Sequence, residues 1–173
     1  MDLASLIRNI PDHPKAGVQF KDITTLLIQP KALQEVISRF KKRYCDQQLD
    51  AIVGVEARGF IFGTALAYAM ELPFIPARKP GKLPAATIQE SFQLEYGTDS
   101  IEIHTDSIQK GQRILIVDDL LATGGTVAAT QRLVQRLGGD VIEAAFVIEL
   151  PQLKGRAALA PLSVFSLLQF DDP

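Results

Sequence analysis

Ile114-Leu115-Ile116-Val117-Asp118-Asp119-Leu120-Leu121-Ala122-Thr123-Gly124-Gly125-Thr126 is the stretch on which the reading of the whole chain turns. Residues 113–117 end a polar segment with a run of branched apolar side chains, the pattern of a strand buried on both faces of a parallel sheet. The paired acids Asp118 and Asp119 close that strand, and a glycine pair between threonines follows. Beyond it Val127, Leu133, Val134 and Leu137 recur at helical spacing, so a helix starts just past the glycines. In open α/β sheets ligands bind at the carboxyl ends of strands. Glycines let consecutive backbone N–H groups converge on an anion, and a helix N-terminus adds positive potential. Threonine hydroxyls donate further bonds to phosphate oxygens. Carboxylates beside such a nest repel phosphate but accept hydrogen bonds from sugar hydroxyls. The stretch therefore points to a ribose phosphate, with its phosphate on residues 122–126 and its cis-diol on Asp118 and Asp119. No lysine follows the glycines as in a Walker A loop, and no third glycine has the Rossmann spacing.

Composition sets the outer bounds. A chain of 173 residues with 47% hydrophobic and 22% charged side chains is expected to form one domain with a buried core. Its net charge of −2 argues against a general nucleic-acid surface, so a polyanionic substrate has to be held by local cations. Cys45 is the sole cysteine, which rules out an intrachain disulfide and fits a reducing compartment. Two histidines and one cysteine do not make a structural zinc site. The start at Met1-Asp2 has neither the basic region nor the apolar core of a signal peptide. The longest uncharged stretches, 59–70 and 157–170, fall short of the ~18 apolar residues of a membrane span.

Outward from the central stretch, the chain alternates strand and helix patterns. Leu3, Leu6, Ile7 and Ile10 predict a short amphipathic first helix stopped by Pro11, with a rigid, extended segment to Gly17. Phe20, taken alone, reads as a core aromatic, and His13 as a turn residue. Pro30 suits a first helical position, and Leu33, Val36, Ile37, Phe40 and Tyr44 form one buried stripe behind it. Lys41-Lys42-Arg43 complement that helix's C-terminus. Residues 51–55 form another buried strand, followed by Glu56-Ala57-Arg58-Gly59 and a small-faced helix. Arg58 thus lies at a strand end before a helix, where its planar fork matches a second phosphate group. After a short strand at 73–77, Arg78-Lys79-Pro80-Gly81-Lys82-Leu83-Pro84 reads both as a solvated loop and as a lid carrying charge onto a polyanion. Strands at 91–96 and 101–104 predict a hairpin turning over residues 97–100, with His104 on its polar face. Further strands are expected at 141–148 and 164–168, joined by a connector around Lys154-Gly155-Arg156 and Pro161.

The central stretch resembles the phosphoribosyl-pyrophosphate (PRPP) signature of the type I phosphoribosyltransferases. Glu56-Ala57-Arg58-Gly59-Phe60, residues 78–84, Leu94-Glu95-Tyr96-Gly97 and Phe165-Ser166-Leu167-Leu168-Gln169 narrow the resemblance to the adenine phosphoribosyltransferases, from about Pro11 to the C-terminus. The resemblance implies an α/β fold, a mainly parallel sheet flanked by helices. A small N-terminal hood (1–30) and a flexible lid hairpin (78–104) would belong to one domain over 1–173. It implies transfer of the phosphoribosyl group from PRPP to adenine, giving AMP and pyrophosphate, with Mg²⁺ held mainly by PRPP and no dedicated protein site. It also implies a cytoplasmic homodimer in purine salvage, with no nucleic-acid or membrane partner. Carried over by residue, Ala122, Thr123, Gly124, Gly125 and Thr126 would hold the 5′-phosphate, and Asp118 and Asp119 the ribose. Ala57 and Arg58, with Arg78, Lys79 and Lys82 on the lid, would bind pyrophosphate. Glu95 and Tyr96 would descend with the lid as catalytic residues, Glu95 exchanging a proton with the purine. Gln19, Phe20 and Lys21 would bind adenine, Phe20 by stacking and the other two through the backbone. Many relatives carry Ser at position 57, and some carry Val and Arg at positions 19 and 21. Two other readings stay open: a transcriptional regulator on a PRPP-binding fold, and a transferase for another base such as xanthine.

Overall fold

The computed structural model describes residues 1–94 and 97–171. A 3-10 turn at Ala4–Leu6 leads into β1 (Arg8–Pro11), which pairs antiparallel with β2 (Gln19–Asp22) so that Ile10 faces Phe20. The expected first helix is therefore absent. The apolar spacing behind it spans only two turns, too short to nucleate, and the strand pairing satisfies the same backbone groups. Next come α1 (Thr24–Leu27) and α2 (Pro30–Tyr44), which starts at Pro30 and buries Ala32, Val36, Phe40 and Tyr44. The chain continues through β3 (Ala51–Val55), α3 (Gly59–Met70), β4 (Phe74–Ala77), β5 (Thr87–Gln93) and β6 (Thr98–His104). It ends with β7 (Arg113–Leu121), α4 (Gly125–Arg136), β8 (Asp140–Glu149), a 3-10 turn at Pro151–Leu153, α5 (Gly155–Leu159) and β9 (Val164–Gln169).

Five strands make the central sheet in the order β4-β3-β7-β8-β9, all parallel. Alternate side chains go to opposite faces. Val53, Val55, Ile114 and Ile116 meet Val127, Leu133 and Val134 of α4 in one core layer. Ile52, Leu115, Val117 and Val147 meet Val36, Phe40, Phe62 and Leu66 of α2 and α3 in the other. Both faces of β3 and β7 are covered, which is why those strands are apolar runs rather than alternations.

Two boundaries differ from the sequence reading. β7 does not stop at the acid pair: its register with β8 continues to Leu121 opposite Glu149. Backbone pairing with β8 extends the strand past the point where hydrophobicity ends. The hairpin is also longer than expected, pairing Thr87 with His104 and Gln93 with Thr98, so the turn falls before Thr98. In a two-stranded ribbon the ladder is satisfied whether or not the side chains are apolar. The hairpin lies on α4, where Arg132 and Arg136 both hold Glu90 at 3.0 Å.

Candidate active site

The carboxyl ends of β3, β4 and β7 converge on one edge of the sheet. Ala128 N–H donates to the Gly124 carbonyl at 2.9 Å as the first bond of α4. The N–H groups of residues 125–127 precede the ladder and are the helix's orphan donors. Gly124 has φ +85°, a left-handed conformation that favours glycine. The loop frames a cavity of about 90 Å³ lined by Asp118, residues 120–127 and Phe146. Orphan donors, positive dipole end and a cavity of that size suit one tetrahedral oxyanion. A larger cavity of about 620 Å³, beside Met1, Leu6 and Pro30, is mainly apolar and away from these strand ends.

The acid pair is not symmetric. Asp119 is buried and accepts a charge-assisted bond from Nε of Arg58. Asp118 accepts the Asp119 N–H on Oδ1 at 2.8 Å. Burial, reinforced by the neighbouring Asp119 charge, raises the Asp118 carboxyl well above the usual range, against the Asp119 N–H and the Arg58 charge. Burial opposes the charge on Arg58, but the carboxylates of Asp119, Asp118 and Asp22, Asp119 foremost, together raise its pKa. Arg58 caps α3, and the peptide before Ala57 is cis. Gly59, next in the chain, lies so close to β7 that a Cβ there would sit 2.8 Å from the Val117 carbonyl and 2.9 Å from Asp118 Oδ1. This glycine lets α3 start against the acid pair, which places Arg58 over it.

The hood strand β2 brings Phe20 above this edge, with the Arg58 guanidinium 5.9 Å from the ring centroid. Phe20 is half-buried and meets the His13 ring edge-on at 5.0 Å, so it is not the core aromatic its type suggests. The side chains of Gln19 and Lys21 both reach Asn9, at 2.6 and 3.1 Å. Lys21 also lies 4.9 Å above the Phe170 ring. Asp22 anchors the hood: it takes Arg8 at 2.5 Å and the Thr24 hydroxyl at 2.7 Å, and these bonds lower its pKa to about 2.

Glu56, unassigned by sequence reasoning, organises the root of the cationic loop. It accepts Arg78 Nη2 at 3.0 Å and the Lys79 N–H at 2.8 Å. The Arg78 bond, against burial, keeps the Glu56 carboxyl below its ordinary range. Lys79 Nζ reaches Asp99 at 3.4 Å, and Lys82 is exposed. Phe92 is a second such residue: a Cβ on Gly125 would lie 3.4 Å from its ring, so the hairpin covers the Gly/Thr loop. Its sequence signal was only the alternation of β5. Glu95 and Tyr96 lie outside the described residues. His104 accepts the Ala85 N–H at 3.3 Å, a structural contact. Among the described residues no three His, Cys, Asp or Glu side chains cluster as a metal cage.

Residues 22–170 match the family model described as "Phosphoribosyl transferase domain". The adenine phosphoribosyltransferase of Chloroflexus aurantiacus is 60% identical over 169 residues, 98% of either chain. The chain belongs to the adenine phosphoribosyltransferase family. Solved structures agree: the enzyme of that name from Thermoanaerobacter pseudethanolicus superposes with a TM-score of 0.95 at 49% identity, covering 98% of both chains. That of Saccharomyces cerevisiae, complexed with adenine and an imino-altritol bisphosphate, gives 0.92 at 38% identity, covering 96% of this chain and 97% of the other. The fold is that of the type I phosphoribosyltransferases.

Proposed function

We propose that this chain transfers the 5-phosphoribosyl group of PRPP to adenine, yielding AMP and pyrophosphate in purine salvage. The observation that carries the reading is the anion cradle at residues 122–126, with Asp118 and Asp119 beside it and the Arg58 guanidinium next to Phe20. The cradle takes the 5′-phosphate, and the acid pair takes the ribose hydroxyls. Ala57 and Arg58, with Arg78, Lys79 and Lys82, take the pyrophosphate. The C1′–oxygen bond breaks with its electron pair leaving on pyrophosphate, and a purine ring nitrogen forms the new bond to C1′. The two carboxylates are electrostatically suited to the cationic carbon that develops between these events. Gln19, Phe20 and Lys21 form the base site. With both polar side chains turned to Asn9, recognition falls to the β2 backbone and the Phe20 ring. Glu95, brought down with Tyr96, exchanges the proton lost from the purine ring.

Mg²⁺ fits this site, since the ion takes mainly substrate phosphates and water with one or two carboxylate oxygens. Asp118 and Asp119 would complete a shell made mainly by PRPP, and the bound ion would neutralise the leaving pyrophosphate. The chain works as one domain, with 1–30 as helical turn and hood and 78–104 as lid and hairpin. The reading includes a cytoplasmic setting and a homodimer; self-association is supported by α3, which has no charged residue from Gly59 to Met70 yet exposes Ile61 and Tyr68. No helix among the described residues is long and apolar enough to cross a membrane.

The test is base choice. With PRPP and Mg²⁺ the protein should convert adenine to AMP and leave hypoxanthine, guanine and xanthine largely untouched. Comparable turnover of a 6-oxopurine would overturn the reading.

A further inference from the structure

The segment after β8 reads in sequence as a connector, yet it forms the wall behind the Gly/Thr loop. β7 and β8 end together: Leu121 pairs with Glu149, and the Leu150 N–H donates to the Leu121 carbonyl at 3.0 Å. The loop then leaves β7 while the other chain turns into α5, and the two meet at glycines. A Cβ on Gly124 would stand 2.9 Å from the Gly155 carbonyl. A Cβ on Gly155 would collide with the Ala122 carbonyl and sit 2.7 Å from Leu121 Cδ1. Backbone lies on backbone, so any shift of α5 is passed to the loop with no soft side chain between them.

One buried carboxylate fixes where α5 lies. Glu149 Oε1 and Oε2 accept Arg156 Nε and Nη2 at 3.0 and 2.6 Å, a bidentate pair with the Glu149 side chain 3% exposed. Arg156 also donates Nη1 to the Val164 carbonyl at 2.6 Å, while Ser166 and Gln169 complete the Glu149 carboxylate at 2.5 and 3.2 Å. Arg156 is the residue next to Gly155. The fork therefore orients the first turn of α5 from a strand that is itself rigid.

We infer that Glu149 and Arg156 are positioning residues for the 5′-phosphate site, setting the backbone of Gly155 against which Ala122 and Gly124 hold their donors. The inference rests on residues 122–126 being the phosphate loop. Neither residue touches substrate. Their effect is on where the loop's N–H groups point, and so on a contact made equally in ground and transition states.

The experiment compares Glu149→Gln and Arg156→Lys with Glu143→Gln. Glu143 is another buried carboxylate, nearer the start of β8, paired with Arg43 at 2.8 Å and Tyr44 at 2.6 Å. AMP and ribose 5-phosphate affinities are measured by calorimetry, whose stoichiometry counts the folded fraction separately from affinity, alongside steady-state kinetics. Glu149→Gln and Arg156→Lys should each weaken AMP and raise the KM for PRPP about tenfold, equivalent to ~1.4 kcal/mol of binding. The kcat and the KM for adenine should stay within about twofold. Glu143→Gln should lower thermal stability and leave AMP affinity unchanged. Wild-type AMP affinity in both Glu149→Gln and Arg156→Lys, or an equal loss in Glu143→Gln, overturns the inference. Gly125→Val separates the two levels. If it binds AMP normally, the phosphate-loop reading itself falls. If it loses AMP while the Glu149 and Arg156 variants keep it, the positioning inference falls alone.

Discussion

Arg58→Gln is the sharpest perturbation of the site, because one guanidinium is asked to serve two partners. Its side chain is 48% exposed, whereas that of its partner Asp119 is 8% exposed. The exposed guanidinium draws the pair toward the ~0–1 kcal/mol of surface ion pairs, while the buried Asp119 carboxylate still needs a donor. Glutamine keeps an N–H donor for the buried carboxylate, so the midpoint of unfolding should move little. Function should respond far more. A hydrogen bond to a charged group contributes ~1.5–3 kcal/mol, so losing the cation should weaken pyrophosphate by roughly 10- to 150-fold. A second effect has a definite sign. Arg58 is the cation that lowers the Asp118 pKa against burial and against Asp119. Without it Asp118 holds its proton to higher pH, and if the ionised pair is what serves the ribose, the acid limb of kcat/KM moves to higher pH. The assay is product inhibition by pyrophosphate, together with the pH profile of kcat/KM for PRPP. Inhibition within about twofold of wild type, with an unmoved acid limb, would refute the assignment of Arg58 to the leaving group.

Asp118→Asn with Asp119→Asn should abolish turnover without lowering the melting temperature at pH 7. A carboxyl whose folded pKa is raised loses stability as pH climbs through the ordinary carboxylate range, and asparagine removes that cost; near-normal kcat would make the pair structural only. Glu95→Gln should cut kcat by up to ~10²–10⁴-fold while changing the adenine KM little, and full activity would remove Glu95 from the proton transfer. Asp22→Asn should raise the KM for adenine and spare that for PRPP, since it loosens Arg8 and Thr24 at the base of the hood. In the wild type the Asp22 contribution is present above pH ~4 and lost as pH falls toward about 2. A thermal midpoint unaffected by pH in that window would contradict the anchor.

Strand, acid pair, Gly/Thr loop and helix could be read from residues 114–126 alone, because each demand there is local. A strand covered on both faces needs a run of apolar side chains, and an anion nest needs glycine and a helix start within a few residues. The order α2, β3, α3, β4 before the hairpin and β8, β9 after α4 followed from the same local periodicity, and Arg58 stood out because it repeats that location at the end of β3. What failed is what depends on partners. Leu3, Leu6, Ile7 and Ile10 carry a helix-like spacing, yet Arg8–Pro11 form a strand, since β2 lies within reach to pair with them. The acid pair looked equivalent, but β7 runs on through it, so the two side chains leave opposite faces, and Arg58, 61 residues away, pairs with Asp119. Glu56 and Arg78 are 22 residues apart and meet because β3 and β4 are neighbours in the sheet. Gly155 looked like punctuation in a connector and proved to be the surface on which the phosphate loop rests. Charge pairing and backbone contact act through space. The strand order β4-β3-β7-β8-β9 decides which distant residues share a strand end, and the linear pattern of hydrophobicity carries no record of it.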